Sequence, residues 1–132
     1  MDLAASHGLR VVLYPHVGFQ TATMRKCLNF AREADRTNVG LSFNLCHFLK
    51  QNDARDLALT LREAAPFLEL VSINGADQGE TKTMGWDQLI QPLGEGSFPV
   101  KTVLNLLDDL GYVAVTETLF NKLIDGVPSP GR

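Results

Sequence analysis

The sequence predicts an α/β fold built of parallel strand and helix units, and three observations support this prediction. Short runs rich in Val, Leu, Ile and Phe occur at residues 9–14, 39–45 and 68–73. The segments between these runs carry apolar residues at helical spacing. Polar side chains follow each run where it ends. Short buried strands that alternate with helices are typical of parallel sheets covered by helices.

The first strand, residues 9–14, is predicted to follow the end of a helix at residues 2–7. Gly8 is placed to adopt the left-handed conformation that closes a helix. Pro15 follows the strand and has no amide hydrogen to donate, so the strand ladder stops there. The chain therefore begins with a helix end and one strand.

Two helices are predicted to cover the sheet. The first is capped by Thr21 or Thr23 and runs to about Ala34, and its inward face comprises Met24, Cys27, Leu28 and Ala31. The second follows the polar stretch at residues 51–53, and its inward face comprises Ala54, Leu57, Leu61 and Ala64. These faces are expected to lie on the predicted sheet.

The longest irregular stretch is residues 74–98, and loops of this length are usually functional or mobile. Pro99 suits the first position of the next helix, which ends before Gly111. The inward face of this helix is predicted to comprise Val100, Val103, Leu104, Leu107 and Leu110. A fourth strand is predicted at residues 112–116 and a short helix at residues 118–124.

This alternation fits either a small open parallel sheet or one half of an eight-stranded barrel. A four-stranded arc would leave two sheet edges and one face uncovered, so such a fragment would need a partner. Dimerisation of the chain is one way to complete the barrel. Residues 1–125 are expected to form a single domain, and residues 126–132 a flexible tail.

Composition limits the possible functions. The 132 residues are 45% hydrophobic and carry a net charge of -3, which is typical of a globular domain without a basic surface for nucleic acid. No apolar run is long enough to cross a membrane, and the first residues lack a signal-peptide pattern, so a cytoplasmic location is expected. The two cysteines are expected to be buried and reduced.

Ligands of parallel α/β folds bind outside the carboxyl ends of the strands, where this sequence places His, Asn and Tyr. His16 and His47 are the candidate catalytic residues, since neutral imidazoles can accept a hydroxyl proton. The candidate substrate-binding residues are Tyr14, Asn44, Asn74, Asp77 and Trp86.

Each candidate also has a purely structural interpretation. The histidines can hold loop backbone, and Asn44 and Asn74 can cap their own strand-end turns. Tyr14 can pack at the sheet edge, Asp77 can be solvated, and a single Trp usually anchors its loop. The residue types alone leave both interpretations open.

Four segments of the sequence resemble one known family. They are residues 8–16, residues 38–41 with 44–47, residues 92–96, and residues 111–112. Together they are similar to the xylose isomerase-like TIM barrels of the sugar phosphate isomerase/epimerase superfamily. The resemblance spans residues 3–115 and implies a half TIM barrel equivalent to the fifth to eighth strands. It also implies a catalytic role for Glu117, which matches a carboxylate at the end of the last strand.

The sequence departs from this family at the metal ligands. Family members that bind a divalent metal typically have Glu at the position of Tyr14, Asp at that of Asn44 and His near Ser72. A phenol, an amide and a hydroxyl lack the anionic oxygens that hard cations prefer. No cofactor is therefore expected, although the sequence leaves a divalent ion open.

Two classes of function follow. In the first, the chain is a sugar isomerase-like or epimerase-like domain that binds a small polyhydroxylated ligand; if active, it is an aldose-ketose isomerase or an epimerase. In the second, it is a non-catalytic half-barrel that assembles with itself or binds another partner. Enolisation next to a carbonyl needs a base and a stabiliser for the enediolate, and the missing carboxylates count against the first class.

Overall fold

A computed structural model describes residues 1–112, and these residues form a three-stranded parallel sheet with helices. The predicted fourth strand, the helix after it, the tail and Glu117 lie outside the described residues, apart from Tyr112. The elements in chain order are α1 (Asp2–Ser6), β1 (Val11–Leu13), α2 (Met24–Ala34), β2 (Val39–Asn44), α3 (Leu45–Gln51), a 3-10 turn (Ala54–Asp56), α4 (Leu57–Ala64), a second 3-10 turn (Ala65–Phe67), β3 (Leu68–Ser72), α5 (Trp86–Leu89) and α6 (Val100–Asp109).

The sheet has the order β1-β2-β3, and both strand pairs are parallel, as predicted. Leu13 pairs with Leu41, and Asn44 pairs with Ser72, so the carboxyl ends of all three strands meet at one edge of the sheet. Sequential order and parallel direction are the geometry of consecutive units in a β/α barrel. The prediction of a partial barrel is therefore confirmed.

The core lies between β2 and the helices that cover one side of the sheet. Leu41 and Phe43 of β2 are fully buried, and Leu28 of α2 and Leu61 of α4 belong to the same buried cluster. Thr23 caps α2 by accepting a 3.3 Å hydrogen bond from the backbone nitrogen of Lys26. The predicted inward face of α2 is completely buried; it comprises Met24, Cys27, Leu28 and Ala31. Helical spacing thus identified the packing face correctly.

Side chains on the opposite face of the sheet border an open depression of about 350 Å³. Tyr14 and Leu70, which lie there, are 41% and 43% exposed. Nearer the start of the strands, Arg10 forms an ion pair with Glu69. A side chain at Gly40 would collide with that of Glu69, so glycine leaves room for this pair.

The strands are shorter than predicted. The prediction extended β1 to residues 9–14, but Leu9 is exposed and its backbone nitrogen bonds to Ala4 at 2.8 Å, which keeps it in the turn after α1. The β1 ladder begins at Val11 and stops before Pro15. β2 and β3 each end one residue earlier than predicted, at Asn44 and Ser72.

The prediction also missed helix α3, which begins directly at the end of β2. Its first five residues are all buried, so they show no polar face and look like a continuation of the strand. Asn44 ends the strand because its side chain caps the new helix. His47 consequently lies in the first turn of a helix and not in a strand-end loop.

Helix α6 largely follows its prediction. Val103 and Leu107 are buried, and Gly111 has a φ of 69° just past the end of the helix. Leu104, however, is 45% exposed, so the prediction of its burial is wrong. The prediction extended the apolar face of α6 beyond the buried side that carries Val103 and Leu107. Cys27 and Cys46 are buried and free of disulfides, as predicted.

Candidate active site at the strand carboxyl ends

Four ring-bearing residues meet beyond the carboxyl ends of β1 and β2; we refer to Tyr14, His16, His47 and Trp86 as the ring cluster. The ring centroids of His16 and His47 are 4.1 Å apart. The Tyr14 ring lies 5.8 Å from each imidazole, and Trp86 approaches His47 edge-on at 5.5 Å. Tyr14, His16 and His47 follow the ends of parallel strands within three residues, so the sheet itself brings them together.

The backbone of Val17 contacts both imidazoles. Its carbonyl oxygen is 2.7 Å from Nδ1 of His16. Its amide nitrogen donates to Nδ1 of His47 at 3.5 Å. The backbone of one residue therefore orients both imidazoles, and the Val17 side chain takes no part in these hydrogen bonds.

His47 is 9% exposed, and burial is the main reason why its pKa is lowered from the usual 6.5. Repulsion from a protonated His16 lowers this pKa further. Burial therefore favours the neutral form of His47. A neutral imidazole can donate one hydrogen bond and accept another, which is the form that general acid–base chemistry and hydroxyl recognition require.

Asn44 has a structural role at the centre of the site. Its carbonyl oxygen accepts hydrogen bonds from the His47 backbone nitrogen at 3.3 Å and from the Cys46 thiol at 2.9 Å. Its amide nitrogen donates to the hydroxyl of Tyr14 at 3.1 Å. The cap holds the start of α3, and the bond to Tyr14 joins the ends of two strands.

Asn74 and Asp77 form hydrogen bonds within the loop after β3. The Asn74 amide donates to the backbone oxygens of Gly75 and Leu89, each at 2.6 Å. The Asp77 carboxylate accepts from the Ser97 backbone at 3.2 Å. Their predicted contact with a ligand therefore remains untested.

This loop carries Trp86 to the site. Gly75 and Gln91 form a two-way backbone bridge, and Phe98 donates to the backbone oxygen of Ala76 at 2.8 Å. Gly96 has a φ of 82°, and any side chain there would collide with the backbone oxygen of Ala76. The long segment is thus closed on itself and held over α3.

Sequence reasoning missed Phe19, Lys50 and Val17. Phe19 stacks on His16 with centroids 4.4 Å apart, and the ammonium of Lys50 lies 5.6 Å from the centre of the Trp86 ring. An exposed Phe in the loop after β1 was a usable signal for the first. The other two depend on where α3 and a backbone peptide lie, which residue types do not indicate.

Among residues 1–112, the metal ligands of the family have no equivalent full set. Tyr14 and Asn44 bond to each other, and Ser72 offers only a hydroxyl. Within residues 1–112, no group of three or more His, Cys, Asp or Glu side chains is arranged to hold an ion. These neutral donors do not fit a hard divalent cation, which prefers carboxylate oxygens.

A larger groove of about 1130 Å³ lies apart from the ring cluster, between the segment from Asn52 to Ala58, the loop from Gln78 to Lys82, and the start of α6. Its charged residues are largely solvent-exposed, and Asp53 pairs with Arg55 at 2.6 Å. The groove shares no residue with the ring cluster. The candidate catalytic histidines therefore lie at the strand ends and not in this groove.

Comparison with known proteins agrees with this geometry. The profile of the xylose isomerase-like TIM barrel family matches residues 1–121. The chain belongs to this family. Comparison with curated proteins yields no match. Membership in the xylose isomerase-like TIM barrel family confirms the resemblance read from the sequence.

A solved structure with the same fold is the apo form of 3-keto-D-glucoside 4-epimerase, YcjR, from E. coli. The two structures align with a TM-score of 0.63 at 20% sequence identity. The alignment covers 86% of this chain but only 39% of the epimerase chain. This xylose isomerase-like chain thus spans well under half the length of its structural neighbour, which fits a partial barrel. None of the helices in residues 1–112 is long and apolar enough to span a membrane.

Proposed function

We propose that this chain is a sugar isomerase-like or epimerase-like domain that binds a small polyhydroxylated ligand at the ring cluster. The observation that supports this most is the 4.1 Å approach of His16 and His47 at the carboxyl ends of the strands. Ligands of β/α barrels bind at this end. Membership in the xylose isomerase-like family and the fold shared with a sugar epimerase add to this support.

The cluster offers the two kinds of surface that a sugar needs. Its imidazoles exchange hydrogen bonds with hydroxyl groups, and the partly exposed rings of Trp86 and of Phe19, which stacks on His16 beside the cluster, can pack on the apolar C–H faces. Tyr14 contributes its ring and borders the depression on the open sheet face. We assign ligand contact first to these residues, and next to Asn44, Asn74 and Asp77.

We further propose that ligand binding requires no divalent metal. The support is chemical: Tyr14, Asn44 and Ser72 offer neutral oxygens, and the first two already bond to each other. Sugar affinity should be the same in EDTA and in millimolar Mg²⁺ or Mn²⁺. A loss of binding in EDTA that added metal restores would contradict this.

Ligand-observed NMR with a panel of aldoses and ketoses tests the binding proposal. We expect His16→Ala and His47→Ala each to weaken the binding of any sugar hit at least about tenfold, because each removes a polar partner from a partly desolvated site. His7→Ala is the matched control, since His7 is exposed next to α1. If both site variants bind like the parent chain, the ring cluster is not the ligand site.

If the domain is catalytic, its reaction is an aldose-ketose isomerisation or an epimerisation, with the histidine pair moving protons. Glu117 is a further proposed catalytic group, based only on the family resemblance. Incorporation of deuterium from heavy water into a ketose measures the reaction directly. Loss of exchange in His16→Ala, with exchange retained in His7→Ala, would support catalysis at this site. Equal exchange in both variants would contradict it.

A second candidate function is assembly with a second copy of the chain. It is favoured by the open sheet face, where Tyr14 and Leu70 are more than 40% exposed. In residues 1–112, β1 and β3 each have a single strand neighbour. Light scattering should give twice the mass of one chain, and Leu70→Glu should reduce the measured mass to that of a single chain. Leu59→Glu, on the exposed side of α4, is the control. A well-folded monomer at high concentration would exclude the assembly.

A further inference from the structure

In a neutral imidazole, the hydrogen-bond partner of one ring nitrogen determines whether the second nitrogen is a donor or an acceptor. A neutral histidine carries one proton, so the nitrogen that donates leaves its partner as an acceptor, and the reverse also holds. A backbone carbonyl oxygen can only accept, and a backbone amide can only donate. The partners of His16 and His47 therefore assign the tautomer of each ring.

The two rings are assigned opposite tautomers. Nδ1 of His16 faces the Val17 carbonyl oxygen at 2.7 Å, so Nδ1 carries a proton, and in the neutral ring Nε2 presents a lone pair. Nδ1 of His47 accepts from the Val17 amide at 3.5 Å, so its proton lies on Nε2. The single peptide residue Val17 sets both states.

The Nε2 atoms of His16 and His47 form no hydrogen bond within the described part of the chain. In the same part of the chain, every side-chain nitrogen or oxygen that is sealed from solvent has a partner. The Nε2 atoms of His16 and His47, which have no such partner, are therefore not sealed from solvent within residues 1–112.

We propose that the ring cluster recognises two neighbouring oxygens of opposite hydrogen-bond character. A ligand hydroxyl donates to Nε2 of His16, and the adjacent carbonyl or hydroxyl oxygen accepts from Nε2–H of His47. The ligand class is thus an α-hydroxycarbonyl compound or a vicinal diol, and Val17 is a positioning residue. This inference rests on the proposed function, because it specifies which part of a sugar the site binds.

Imidazole ¹⁵N NMR of the ligand-free chain tests the tautomers. We expect long-range ¹H–¹⁵N spectra to show the Nδ1–H form for His16 and the Nε2–H form for His47, with exposed His7 as the reference for a mixture. The same tautomer in both rings would overturn the inference. In Val17→Pro, which lacks the amide hydrogen, only His47 should lose its single tautomer. If that variant does not fold, the spectra of the parent chain decide.

Titration with D-fructose, which offers both ligand groups, separates this inference from the proposed function. Shifts of both Nε2 signals, opposite in direction, support the paired recognition. A shift of one ring alone overturns the pairing but leaves sugar binding intact. Opposite tautomers without any response to D-fructose or to the wider sugar panel would contradict the proposed function and the ligand class, while the tautomer assignment would stand.

Discussion

Asn44 and Tyr14 are joined by a 3.1 Å hydrogen bond that links the end of β2 to the residue after β1. The same Asn44 side chain caps α3 through its carbonyl oxygen. One amide therefore fixes the junction of two strands and a helix directly beside the histidine pair. In family members with a divalent metal, carboxylates typically occupy these two positions.

Asn44→Ala should lower the free energy of unfolding by about 1–2 kcal/mol, because it removes the cap of α3. Asn44→Asp should change it much less, since aspartate caps helices equally well. Urea denaturation of the two variants measures the difference. Equal losses would mean that the bond to Tyr14, and not the cap, supplies the stability.

Folding stability should depend on the protonation of His47. Burial and the neighbouring His16 lower its pKa in the folded chain, so the unfolded chain binds this proton more readily. The contribution of His47 is therefore complete above its usual pKa of 6.5 and is lost as the pH falls below that value.

Melting temperatures between about pH 7 and about pH 5.5 measure this effect, before most carboxylates titrate. The decrease in melting temperature on acidification should be smaller in His47→Gln than in the parent chain. The melting temperature of His7→Gln should decrease as much as that of the parent chain, since His7 is exposed. An identical pH dependence in His47→Gln and the parent would contradict the lowered pKa.

Gly96→Ala should disrupt the loop that carries Trp86. The new methyl group would collide with the backbone oxygen of Ala76, and the φ of 82° disfavours any side chain. Gly94→Ala is a matched control, because Gly94 also has a positive φ but nothing lies within 4 Å of the added carbon.

We expect a cost of about 1 kcal/mol for Gly94→Ala from backbone strain alone, and a clearly larger cost for Gly96→Ala. Trp86 is the single tryptophan of the chain, so fluorescence reports on this loop. The fluorescence should change in Gly96→Ala but not in Gly94→Ala. Equal stability losses would show that the close approach of Gly96 and Ala76 is unimportant.

Both cysteines should react slowly with thiol reagents in the folded chain. Burial is the main cause that raises the pKa of Cys27 and of Cys46, so little of the reactive thiolate forms. Cys27→Ser and Cys46→Ser variants report on each thiol separately. Rapid modification without denaturant would contradict the burial of the remaining thiol, and full reaction in urea confirms that the reagent works.

The fold was largely predictable because burial and period are local properties of the chain. Spacing located the inward face of α2, and the apolar runs located three parallel strands. The boundary between β2 and α3 was not predictable in this way. A short helix that is buried all round has the same apolar pattern as a strand, so the capping bond of Asn44 decides where one ends.

The sequence by itself determined the alternating units, their parallel direction, the family and the end of the sheet that carries His16 and His47. Only the tertiary structure decided what those side chains contact. Val17 and His47 lie 30 residues apart in the chain, and so do Tyr14 and Asn44. Their hydrogen bonds arise from strand pairing and helix placement, whereas residue type encodes only the capacity to form them.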